Sequence, residues 1–188
     1  MTARPLPRAG GTVEEMIDHF SGVGEPTGDE LTAAVSRLGR NAGPPLLADL
    51  LAEDLLTASA AAAVMGDVWS AAEYPDRYLA HDRWRELFAL AGYTRNGKGA
   101  ARPTNAITLY RGSVPERRAD WSWTDQLSVA VGYASGTRAQ RPLGKVWSAE
   151  VEPWRLLARN DGPGGRNESE YVVDTDELVI VEHATITG

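Results

Sequence analysis

Residues 107–112 read Ile-Thr-Leu-Tyr-Arg-Gly. β-Branched, apolar and aromatic side chains follow one another for the length of one strand, and the run ends in an arginine and a glycine. The texture upstream is different. Residues 94–105 are rich in Gly, Arg, Asn, Lys and Pro and read as a connector. Before them the apolar spacing is helical. Helices are expected over residues 12–20, where Thr12 can cap and Glu14 and Glu15 suit the first turn, and over 29–38, with Asp29 as the cap. A longer one is expected over 46–65, where Leu47, Leu50, Leu51, Leu55 and Ala58 fall near one face. Residues 69–74 continue it up to Pro75. A further helix over 82–91 carries Trp84, Leu87, Phe88 and Ala91 at helical spacing, with Gly92 at its C-terminus. Downstream of residue 107 the pattern stays short. Strands are expected at 121–123, 145–151, 154–158, 170–173 and 178–183, with one helix over 125–134.

The expected class is α+β. A helical region, residues 1–105, precedes a β-rich region, 106–188, and the second is small enough that the two are expected to form one interwoven domain. The 188-residue chain has a net charge of -7, which argues against broad, charge-driven nucleic-acid binding and leaves a local basic groove open. Cysteine is absent, so disulfides, thiolate metal sites and a cysteine nucleophile are excluded. The three histidines, His19, His81 and His183, are scattered, and no metal is expected. Residues 1–10 hold no apolar stretch of the kind a secretory signal needs. The most apolar stretch, 45–64, carries Asp49, Glu53 and Asp54, which a membrane span would not. A soluble, cytoplasmic protein is expected.

Three features of the β-rich region bear on chemistry. In Leu109-Tyr110-Arg111-Gly112 an arginine ends a strand. Its planar fork can meet a phosphate or carboxylate, or simply be solvated, and the glycine permits close approach to the backbone. In Trp121-Ser122-Trp123-Thr124-Asp125 two tryptophans flank a serine. Ser122 can hydrogen-bond a catalytic carboxylate or a ligand hydroxyl, while Thr124 or Asp125 can cap the following helix. In Glu168-Ser169-Glu170-Tyr171-Val172-Val173 two glutamates approach a strand from a glycine-rich loop. Side chains at i and i+2 of a strand share a face, so both carboxylates are expected to point the same way, as glycosidic cleavage through an oxocarbenium ion uses them.

The order of these motifs resembles the mono-ADP-ribosyltransferase family, in its arginine–serine–glutamate branch, which includes many bacterial toxins. Tyr110-Arg111 stands for that family's aromatic-Arg, Trp121-Ser122-Trp123-Thr124 for its aromatic-Ser-Thr-Ser, and Glu168-Ser169-Glu170 for its Gln/Glu-x-Glu. Trp123-Thr124 departs from the usual Thr-Ser. Upstream, Tyr74-Pro75, Trp84, Phe88 and Ala91-Gly92 are similar to actinobacterial and phage proteins of this kind. The resemblance implies a two-sheet, mixed or antiparallel core with NAD, a substrate, in a cleft between the sheets. It implies Glu170 as the catalytic glutamate, Ser122 orienting it, and Arg111 on the phosphate or ribose of NAD. Gly112 would meet the nicotinamide amide, and Thr124 would line the NAD site. Glu168 would engage the acceptor, a glutamate there going with arginine acceptors. Tyr133 would lie near the nicotinamide or serve as a core tyrosine. Arg138 and Arg141 would reach the phosphates or stay solvated, and the loop 160–167 would meet the acceptor. The acceptor is expected to be a macromolecule, a protein first, with nucleic acid left open. Hydrolysis of NAD by water and a non-catalytic interaction module are the alternatives.

Overall fold

The computed structural model describes residues 6–7, 10–72, 74–138, 142–161 and 168–184. The chain divides into two compact units, Met1–Ala100 and Ala101–Gly188.

The first unit is helical: α1 (Val13–Val23), α2 (Gly28–Leu38), α3 (Gly43–Ala52), α4 (Ala58–Ala71), the short α5 (Pro75–Tyr78) and α6 (His81–Ala91). Capping sets where α1 and α2 begin. Thr12 and Thr27 each accept a hydrogen bond from the third residue of the helix, and Glu15 and Glu30 answer to the cap backbone. The cap of α2 is therefore Thr27, two residues before the expected Asp29. The helix expected over 46–65 is two helices. Leu55 N donates to Leu50 O, Asp54 turns at φ 55°, and the Thr57 hydroxyl accepts from Ala60 N to start α4 afresh. The alanines of α4 admit close neighbours: a Cβ on Gly28 of α2 would stand 2.6 Å from the Ala63 Cβ. Trp69 meets Trp84 edge-on, ring centroids 4.9 Å apart, and Phe88 stacks on Trp84, all three buried. Residues 94–99, read as connector, form a small hairpin of β1 (Thr94–Arg95) and β2 (Lys98–Gly99). Its turn is Asn96-Gly97, both at positive φ.

The second unit contains β3 (Ile107–Ser113), β4 (Ser122–Thr124), α7 (Leu127–Ala134), β5 (Lys145–Val151), β6 (Leu156–Asn160), β7 (Glu170–Val173) and β8 (Val181–Glu182). These strands form one series, β6-β7-β4-β3-β5-β8, in which each neighbouring pair is antiparallel. The series narrows in the middle. β3 and β5 share seven residue pairs, whereas β3 and β4 share one, Tyr110↔Thr124. Leu109, Trp121, Trp123, Val151, Leu156, Ala158, Val172 and Val173 are buried in its core. The strand expected at 154–158 begins later, because Pro153–Arg155 forms a 3-10 turn. The strand expected at 178–183 shrinks to β8. Among the described residues no helix is long and apolar enough to cross a membrane.

Candidate active site

Three adjacent strands, β3, β4 and β7, carry the three sequence motifs. Thr124 of β4 lies opposite Glu170 of β7, and Ser122 lies opposite Val172. On its far side Glu170 pairs with Asn160 of β6, while Thr124 pairs with Tyr110 and Tyr110 with Ser148. Residues opposite one another in a ladder share a face. One face therefore bears a transverse polar row, Asn160–Glu170–Thr124–Tyr110–Ser148. The next row, Arg159, Tyr171 and Trp123, with Arg111 and Trp147 farther along, takes the other face.

Glu170 is half-buried, with buried Asn160 and Thr124 on either side of it. The Thr124 hydroxyl donates to the Glu168 carbonyl at 2.7 Å and accepts from Gln126 N at 3.1 Å. One side chain thus ties the start of α7 to the chain just before Glu170. The two glutamates do not stand in strand alternation. β7 begins at Glu170, and Ser169 is buried in left-handed backbone at φ 46°. The i, i+2 rule therefore does not reach Glu168. The Glu168 carboxylate meets α7: Tyr133 Oη donates to Oε1 at 3.0 Å, and Arg138 Nη1 stands 3.2 Å from the same oxygen. Tyr133 is half-buried and ties α7 to Glu168.

Arg111 is 8% exposed, and its donors are turned into the protein. Nε donates to Arg117 O at 2.8 Å, Nη1 to Ser122 O at 2.6 Å and Nη2 to Asp120 Oδ2 at 2.8 Å. Asp120 also receives Arg117 Nε at 2.6 Å, and its carbonyl accepts from Trp123 Nε1 at 2.9 Å. The fork of Arg111 holds the 117–122 turn and so sets the strand that carries Ser122 and Thr124. These bonds serve the framework.

Gly112 has a packing role. A Cβ there would fall 1.9 Å from Ala130 O and 2.6 Å from Ala134 N. Helix α7 lies on that position. The missing side chain lets helix and strand backbones touch. Arg141 and residues 162–167 of the glycine loop lie outside the described residues.

Arg159 and Asp120 join the site without having been singled out in the sequence, and Asn160, expected as the first residue of the acceptor loop, lies instead in β6 beside Glu170. Arg159 Nη2 donates to the Ser169 hydroxyl at 3.0 Å, and the guanidinium lies over the Tyr171 ring, 5.1 Å from its centroid. Arg159 Nε sits 3.2 Å from Asp161 Oδ1 without hydrogen-bond geometry, a charge pairing only. This arginine fixes the left-handed Ser169. Its signal was the polar Arg-Asn-Asp that closes the apolar strand 156–158 just before the glycines.

No protein-family model, curated protein or solved structure matches the chain.

Proposed function

We propose that the second unit is an NAD-dependent ADP-ribosyltransferase that cleaves NAD at the nicotinamide–ribose bond and passes ADP-ribose to a guanidinium-bearing acceptor. One observation carries the reading. Motifs far apart in sequence lie on the adjacent strands β3, β4 and β7, with Thr124 directly opposite Glu170 and bonded to the backbone of Glu168. The single-pair junction between β3 and β4 agrees with a core of two half-sheets. The resemblance to the arginine–serine–glutamate branch supplies the chemistry.

In this reading Glu170 holds the ribose 2′-hydroxyl, and its negative charge offsets the oxocarbenium character that develops as the bonding pair leaves with neutral nicotinamide. Thr124, Asn160 and Ser122 surround it on the same face and orient it. The acceptor nitrogen then bonds to ribose C1′ and gives its proton to Glu168. Arg111 contributes by holding the turn that presents Ser122 and Thr124. The acceptor is a protein side chain, with NAD as the only small molecule required.

A second reading has an observation of its own. The Glu168 carboxylate already has Tyr133 and Arg138 as partners, which favours water as acceptor and hence NAD hydrolysis. Incubation with NAD labelled in the adenosine moiety, a cell lysate and agmatine distinguishes the two. Transfer predicts nicotinamide release together with label on agmatine or protein. Free ADP-ribose alone points to hydrolysis. Nicotinamide release no faster than in buffer contradicts both and leaves the non-catalytic module.

A further inference from the structure

Arg138 follows the end of α7, and the chain there is shaped to fold its side chain back along the helix. The Gly132 carbonyl accepts from Arg138 N at 3.0 Å, from the Thr137 hydroxyl at 3.0 Å and from the Ser135 hydroxyl at 3.2 Å. Gly136 supplies the reversal at φ 71°. Gly132 itself leaves the space: a Cβ there would stand 3.0 Å from Arg138 Cδ and 3.1 Å from its Nε. The guanidinium lies over this bare stretch of helix and ends at Glu168 Oε1, with Tyr133 Oη on the same oxygen. The Arg138 side chain remains 40% exposed, so the pair is reachable from solvent.

We infer that the Glu168 carboxylate is a guanidinium seat which the chain's own Arg138 fills until an incoming arginine side chain displaces it. The inference rests on the proposed function for its biological sense, but the seat is a binding property by itself. An exposed ion pair is a weak competitor. An acceptor that adds contacts elsewhere can displace it, whereas a lone guanidinium in solution binds poorly. Arg138 thereby selects against free arginine-like small molecules and in favour of a larger acceptor. The same residue explains how a glutamate suited to arginine can be engaged before any acceptor arrives.

Calorimetric titration with agmatine tests this on the full-length chain. The wild type, Arg138→Met, Arg138→Gln and the double variant Arg138→Met/Glu168→Gln are compared, with circular dichroism melts confirming that each is folded. Emptying the seat should tighten agmatine binding about threefold, near 0.7 kcal/mol, in both single variants. Adding Glu168→Gln should abolish the gain. Unchanged or weaker agmatine binding in both single variants overturns the inference, as does a gain that survives Glu168→Gln. Nicotinamide release is followed on the same preparations. If the seat behaves as expected and no variant releases nicotinamide, the transferase reading fails and the guanidinium seat stands.

Discussion

Thr124 stands where the motif departs from the aromatic-Ser-Thr-Ser pattern it resembles, yet the structure gives it a central place. Its hydroxyl bridges Glu168 O and Gln126 N while its strand partner is Glu170. Thr124→Val keeps the shape and removes both bonds in a buried spot. Unfolding in urea should show a loss of about 1–3 kcal/mol, and a loss near zero would mean that the tie between α7 and Glu168 is unimportant. Arg111→Lys tests the framework role. Lysine keeps the charge but cannot span Arg117 O, Ser122 O and Asp120 at once, so a loss of about 2 kcal/mol is expected. Stability unchanged within roughly 0.5 kcal/mol, with weakened NAD binding, would return Arg111 to the ligand. On the proposed reading Glu168→Gln should depress transfer to agmatine while sparing much of the NAD hydrolysis, because that reading gives cleavage to the charge of Glu170 and the acceptor to Glu168. Equal loss of both rates would remove that division of labour.

At the scale of elements, the helices of the first unit were largely legible because their caps are local. Thr12 with Glu15 is a signal within one turn of sequence. The split between α3 and α4 was not, since the leucine spacing runs on through it and only Asp54 and Thr57 mark the break. Thr57→Ala should cost about 1 kcal/mol by freeing the Ala60 N–H, read from thermal melts; no shift in the melting temperature would show that packing alone starts α4. The hairpin at 94–99 was written in Asn96-Gly97, masked by the polar composition around it. In the second unit the strand identities were readable, but the alternation of Glu168 and Glu170 was not. The left-handed Ser169 depends on Arg159, a contact from a different strand. Gly112 tests the packing of α7 on β3. Gly112→Ala would drive a methyl group into helix backbone, and a loss above about 3 kcal/mol, or failure to fold, is expected. Near-wild-type stability would mean that the helix can shift freely.

For the whole molecule, the change of texture after residue 93 and the division into units at residue 100 lie close together, because helical and strand periodicities are properties of local sequence. Which strands neighbour one another is not local. That β7 sits beside β4, and β6 beyond it, follows from long-range packing, and only the resemblance hinted that the motifs belong together. The chemistry implied for Glu170 is the claim on which the functional account turns. Nicotinamide release from NAD by the wild type and by Glu170→Gln, measured side by side on folded protein, tests it most directly. The amide keeps the shape of the side chain but not its charge, and a fall of at least about a hundredfold is predicted from removing such electrostatic stabilisation. A Glu170→Gln protein that releases nicotinamide at most of the wild-type rate would contradict the account.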